Sequence, residues 1–331
     1  MIVGGDEKMQ YYPMKLKGIT KSPIWGGTRL CKVFGKTSDR ETIGESWELT
    51  VRKKEMCTVE NGAFSGRTLG ALISGDPVGM MGESRMENGF PLLIKLIDAH
   101  DRLSVQVHPD DAYAARVEGD RGKTEMWYIV DAEPGAEIIC GLADGLTTED
   151  FAVAVADGDP ERALHRQPVH PGETYFIPAG LPHAIGRGIL IAEIQQNCDL
   201  TYRVYDYNRR QADGSLRELH VRKALEVIRP FSAEEIEKIR YARGVPEVGG
   251  EEVLADCAYF RVVHGTVPAG DRVALPSSFR MRHLLFLSGE GVVQGGGQSA
   301  SYRRGDSVFL PAAMGGAFVE GSGEWLLSEA Y

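Results

Sequence analysis

The chain puts polar side chains where a strand ought to bury apolar ones, in Ser104-Val105-Gln106-Val107-His108, closed by Pro109. Strand alternation sets Ser104, Gln106 and His108 on one face and Leu103, Val105 and Val107 on the other. If both faces are covered, three polar groups point inward, and each one left without a partner costs about 1–3 kcal/mol. Such a face has to meet a ligand, a metal or a ready-made hydrogen-bond network. Lys123-Thr124-Glu125 brings a carboxylate to the head of the apolar strand Met126-Trp127-Tyr128-Ile129-Val130. Gly172 to His183 reads as a strand between a Gly turn and a Pro/Gly turn, with an imidazole just beyond it. Gln106, His108, Glu125 and His183 then form an N/O donor set with one negative charge and no thiolate, suited to a divalent first-row ion such as zinc. Taken singly, His108 or His183 fits an ordinary half-buried histidine better than a ligand. The set as a whole points to a metal.

Strands have to position these groups, and the pattern is mainly β. The first ninety residues are short apolar runs broken by Gly and Pro, with a helical turn at Thr68 to Ser74. Trp25 and Trp47 have faces that stack on pyranose rings, although a buried Trp more often belongs to the core. Phe90 to Asp98 is an apolar strand carrying Lys95 in its middle, where a lysine must snorkel out or hold an anion. Glu193 is the same anomaly inside Leu190 to Ile194. Asp110 and Asp111 resemble paired carboxylates but fit more simply as an N-cap and first helical turn.

Between 142 and 168 the pattern turns helical, with a start signal at Thr147-Thr148-Glu149-Asp150 and a second short helix at Pro160 to His165. His165 and His170 flank this insertion without other ligand types and read as surface residues. Residues 221 to 240 look helical, with a capping start at Ser232, and Arg243 to Gly250 reads as a linker. From 251 onward strands return, at 259–267, 283–287, 292–294, 307–311 and 324–327. Arg304 to Ala313 echoes Pro171 to Gly180 in spacing, without a histidine where His183 stands. The economical reading is two similar β-barrels, residues 1–245 with the helical insertion and 251–331, the second without a metal.

With 331 residues, 43% hydrophobic and 25% charged, the chain has a globular composition with room for two cores. A net charge of -10 argues against nucleic-acid or anionic-membrane partners, which are polyanions. Local Lys and Arg can still hold a phosphorylated small molecule. Five scattered cysteines without any C-x-x-C suggest neither a disulfide framework nor a thiolate site, and with no signal-like or membrane-length apolar run the expectation is cytoplasmic.

Gly172 to His183 fits the second G-x5-P-x-G-x-x-H motif of the cupins, jelly-roll barrels that hold a metal in the barrel mouth. With Lys95, Gln106-Val107-His108-Pro109-Asp110, Lys123-Thr124-Glu125 and Gln196 to Arg203, the chain resembles a type I phosphomannose isomerase of the short bacterial kind. The resemblance runs from about Trp25 to Arg209 and, more weakly, to the C-terminal part. It implies two jelly-roll barrels and one zinc per chain, held by Gln106, His108, Glu125 and His183. It implies a catalytic arginine at Arg203, lysines for phosphate binding or proton transfer at Lys95 and Lys123, a candidate base at Glu193, and a hydroxyl near the phosphate at Ser104. Cys198 stands where longer members carry serine. The reaction implied interconverts mannose 6-phosphate and fructose 6-phosphate through a cis-enediolate, in a monomer or homodimer. Two rivals stand beside it: a cupin oxidase or dioxygenase, which has no need of Arg203, Lys95 and Lys123, and a non-catalytic sugar-phosphate-binding cupin, against which the retained ligands and Arg203 speak.

Overall fold

Residues covered on both faces dominate the central strand Ile189–Gln196, where all eight positions are buried, as expected for a strand inside a layered β structure. The computed structural model describes residues 10–52, 55–84, 86, 89–211, 213–241 and 251–331, so the linker expected at 243–250 lies outside the described residues. The central strand belongs to an antiparallel seven-stranded sheet. The order there is Arg240–Tyr241, Thr174–Ile177, Glu125–Ala132, Ile189–Gln196, Leu92–Ala99, Glu45–Leu49 and Ile19–Lys21. A five-stranded sheet faces it, in the order Leu164–Pro168, Glu137–Leu142, His183–Ala184, Val105–Val107 and Tyr202–Tyr205.

Alternation sorts the side chains between layers. Ile189, Ile191, Trp127, Ile129, Tyr175, Ile177 and Ile97 point between the two sheets and meet Ile138, Cys140, Leu181 and Ile185. Leu190, Ala192, Ile194, Met126 and Tyr128 point the other way, toward Phe260, Leu285 and Phe309 of the C-terminal sheet. Each such large apolar side chain contributes about 1.5–3 kcal/mol of burial free energy. On the far side of the five-stranded sheet, Val105, Val107, Tyr202 and Val204 pack with Phe151, Ala154 and Ala224 of the helices.

The helical insertion holds one helix, Thr148–Ala156, opened by a capping box in which Thr147 and Asp150 exchange hydrogen bonds. The second expected helix is only the 3-10 turn Pro160–Ala163, because the chain passes straight into the strand Leu164–Pro168. Asp110 caps Asp111–Val117 by accepting from the Tyr113 amide at 2.8 Å, which settles the aspartate pair as a helix start. The region 221–240 splits into Val221–Val227 and Ala233–Ile239.

The third sheet has eight strands and wraps its own core of Val263, Leu284, Phe286, Val308, Val319, Trp325 and Leu327. Two short strands expected at 283–287 and 292–294 form one, Arg282–Gly295, which crosses the polar stretch by a bulge between Phe286 and Ser288. Gly289 takes φ 78° beside the Ser322 carbonyl, a conformation and a gap that a side chain would not fit. The strand Met14–Lys17 also lies in this sheet, with Met14 opposite Phe309 and Leu16 opposite Ser307. An N-terminal strand is thus part of the C-terminal sheet, across the boundary expected at 245–251. No helix among the described residues is long and apolar enough to cross a membrane.

Candidate active site

Register brings the chemistry-bearing residues to one cleft between the sheets. In the five-stranded sheet, His183 stands opposite Gln106, and Gln106 opposite Arg203, so the three form a row on the inward face. In the seven-stranded sheet Lys95, Glu193 and Trp127 form a second row, Lys95 directly opposite Glu193 and Glu193 opposite Trp127. Glu125 shares the inward face of its strand with Trp127. The alternation that buried Ile189 and Ile191 between the sheets therefore points Glu193 into the same space.

His108, Glu125 and His183 are fully buried, with one donor atom of each lying within 4.8 Å of the others. His183 Nδ1 donates to the Leu181 carbonyl at 2.8 Å, which leaves Nε2 bearing its lone pair, buried and without a hydrogen-bond partner. Glu125 Oε1 lies 2.9 Å from His108 Nε2 and 2.6 Å from Lys123 Nζ, and its Oε2 accepts from Trp127 Nε1 at 2.9 Å. Lys123 Nζ is also 3.2 Å from His108 Nε2. Burial, then Lys123, pushes His108 down to about 3, so its imidazole is neutral and a competent donor. Burial lowers His183 as well. Burial by itself would raise Glu125, but Lys123 and His108 hold its carboxyl well below the usual range.

The second row is an ion pair in the dark. Lys95 Nζ lies 3.0 Å from Glu193 Oε2, and Trp127 Nε1 donates to Glu193 Oε1 at 3.1 Å. Burial and the charge of Glu125 raise Glu193 above its ordinary value despite Lys95. Burial opposes the charge on Lys95, yet Glu193, Glu45 and Asp199 outweigh it and raise the lysine. At the rim, Arg203 Nε donates to Ser104 Oγ at 3.3 Å and Nη1 to the Glu218 carbonyl at 2.9 Å.

A cavity of about 340 Å³ runs along both rows, and its wall includes Lys95, Ser104, Gln106, Lys123, Glu193 and Arg203. His108, Glu125 and His183 form the buried cluster beside Lys123, behind that wall. Trp25 lines the cavity, whereas Trp47 is buried beneath Lys21, whose Nζ sits 3.5 Å from the ring centroid. His170 is exposed, is not among the residues that line the cavity, and pairs with Glu173 at 3.3 Å. Sequence reasoning missed Arg217 and His220, which also line the cavity. They sit in the irregular run between Tyr205 and the helix at Val221, where no periodicity assigns a side chain to a face; Arg217 is fixed there by Asp206, to which its Nε donates at 2.7 Å.

Two family models match the chain: phosphomannose isomerase type I, catalytic domain, over residues 14–139, and mannose-6-phosphate isomerase, cupin domain, over 251–330. The probable mannose-6-phosphate isomerase GmuF of Bacillus subtilis (strain 168) is 38% identical over 326 residues, covering 96% of this chain and 99% of that protein. The crystal structure of the mannose 6-phosphate isomerase from Bacillus subtilis superposes with a TM-score of 0.81 at 31% identity, covering 96% of this chain and 99% of that one. A mannose 6-phosphate isomerase in its zinc-bound holo form shares the fold, with a TM-score of 0.78 at 15% identity and 96% and 99% coverage. Facing sheets around a buried donor cluster, together with a C-terminal cupin domain, make this a cupin-class protein. Its near full-length likeness at 38% identity places it further: the chain belongs to the type I mannose-6-phosphate isomerase family.

Proposed function

We propose that the chain interconverts mannose 6-phosphate and fructose 6-phosphate, using one divalent ion, zinc in the first instance, held by Gln106, His108, Glu125 and His183. The observation that carries this reading is the buried convergence of His108, Glu125 and His183, with the His183 Nε2 lone pair unpartnered. When bound, such an ion would supply Lewis-acid positive charge for the oxyanion that develops in the reaction.

The chain's own residues provide the rest. An aldose–ketose conversion removes the C2 proton of the aldose and delivers a proton to C1, passing through a cis-enediolate, while the O2 hydroxyl loses a proton and O1 gains one. Glu193 is assigned the carbon-to-carbon transfer, because burial raises its proton affinity toward working pH and it lies on the cavity wall. Arg203 and Lys123 bring positive charge to the enediolate oxygens. Lys95 and Arg217, with the Ser104 hydroxyl, are the groups left to hold the phosphate, whose binding energy positions C1 and C2. A coupled assay that feeds mannose 6-phosphate and reads fructose 6-phosphate tests the proposal. Turnover is the expected result; a protein that binds the sugar phosphate without converting it would make this a binding cupin instead.

A further inference from the structure

Arg203 stands on the edge of its sheet, and His220 closes that edge. The strand Tyr202–Tyr205 is the last of the five-stranded sheet and pairs on one side, with Arg203 opposite Gln106. An edge strand leaves outward backbone N–H and C=O groups without a ladder partner. Here one residue takes both outward groups of Arg203. The His220 amide donates to the Arg203 carbonyl at 2.7 Å, and the Arg203 amide donates to His220 Nδ1 at 3.4 Å. That is the two-bond exchange of an antiparallel pair, with an imidazole nitrogen in place of the second carbonyl.

His220 is the N-cap residue of the helix Val221–Val227, a position whose side chain ordinarily accepts from the first helical amides. Its imidazole makes no such bond and turns to Arg203 instead. The His220 carbonyl meanwhile accepts from the Ala224 amide at 2.9 Å, so the helix fixes the residue from which the ring projects. Two residues earlier, the Glu218 carbonyl accepts from Arg203 Nη1 at 2.9 Å, and Arg217 anchors the segment on Asp206 through Nε at 2.7 Å. Arg203 is thus held at its backbone by His220, and at its guanidinium by Glu218 and by Ser104 Oγ, 3.3 Å from Nε. To accept from an amide, Nδ1 has to carry a lone pair, which places the proton of the neutral ring on Nε2. Glu218 Oε2 comes only to 3.8 Å from Nε2, beyond hydrogen-bond reach, so the tautomer is set by Arg203.

We propose that His220 is a positioning residue for Arg203: its amide and Nδ1 extend the sheet by one rung and hold the guanidinium at the cavity rim. The inference rests on the role given to Arg203 in the isomerase reading. Misplacing a group aimed at a developing charge by about 1 Å can cost about 10²-fold in rate, so the loss of Nδ1 falls on kcat more than on KM.

The test combines kinetics and NMR on the full chain. His220→Leu removes the acceptor, and His220→Asn returns an oxygen where Nδ1 stood. In His220→Leu, kcat for mannose 6-phosphate should fall about tenfold or more with KM within about twofold, and His220→Asn should recover most of the loss. In an Arg203→Ala background, His220→Leu should lower kcat by less than about twofold further, since residues that act through one another are not additive, whereas a merely structural loss would multiply. Long-range 1H–15N spectra of histidine-labelled wild type at about pH 8, above the ordinary imidazole range, should show His220 with Nδ1 unprotonated and the proton on Nε2, its signals assigned by their absence in His220→Asn. A proton on His220 Nδ1, a His220→Asn variant no better than His220→Leu, or an equal loss from His220→Leu in wild type and in Arg203→Ala would each overturn the inference. None of these outcomes bears on whether the wild type turns over, which is the separate test of the isomerase reading.

Discussion

Arg203 is the residue on which the proposed chemistry leans most at the cavity rim, anchored by Ser104 and the Glu218 carbonyl. Its replacement by Ala removes a charge aimed at the enediolate, and steady-state kinetics should show kcat lower by about 10²–10³, the usual effect of losing one such donor. Arg203→Lys should recover only part, because an ammonium lacks the planar fork. Lys95 is a sharper case. A free phosphate anchor would change KM alone, but Lys95 is paired with Glu193 at 3.0 Å, so Lys95→Ala should raise KM and also lower kcat. An unchanged kcat would remove Glu193 from the proton transfer. Of the four residues read as a donor set, His108, Glu125 and His183 meet in one buried cluster and Gln106 lies on the cavity wall; they could be singled out because polar types stood where alternation points a strand inward. Arg217 and His220 could not, since an irregular segment gives a side chain no face until the fold is formed.

Among the elements, the strands that carry the site were read closely, as alternation and turn residues mark them. Leu190 to Ile194 extends to Ile189–Gln196, and its inward set contains Glu193. The C-terminal strands were read as fragments, because the bulge after Phe286 interrupts the two-residue period without ending the strand. The helical insertion was legible at its start and not at its end: Thr147 and Asp150 form the capping box, while Pro160–Ala163 stays a single 3-10 turn. That helix packs Phe151 and Ala154 against the outer face of the five-stranded sheet, away from the cleft. Thr147→Ala should therefore cost about 1 kcal/mol in urea unfolding and leave kcat within twofold, since only a cap is lost. A large fall in kcat would tie the insertion to the active cavity.

For the whole molecule, the pairing of Met14–Lys17 with Ser307–Leu310 joins the two ends of the chain. Four residues offer no sign of so distant a partner, which is why this interlock was not legible. Buried imidazoles give the folded protein a direction in pH. Burial pushes His108 and His283 down to about 3 and lowers His183, from an ordinary value of 6.5. Between those values the unfolded chain binds more protons, so stability is fully present above pH 6.5 and is lost as pH falls toward 3, by up to about 1.4 kcal/mol per pH unit for each histidine. The raised Glu193 works in the opposite sense above its ordinary 4.5, one group against three. Thermal melts of metal-stripped protein should show Tm falling steadily from pH 7 to pH 4, whereas a flat profile would mean that these histidines are not held neutral.

The central claim joins a metal to a reaction at one cleft. The direct measurement is mannose 6-phosphate turnover in protein of known metal content, before and after chelation and after return of zinc. The account predicts about one ion per chain, activity that disappears with the ion and returns with it, and no ion retained when His108, Glu125 and His183 are all replaced by Ala. Full turnover in protein stripped of metal would contradict it.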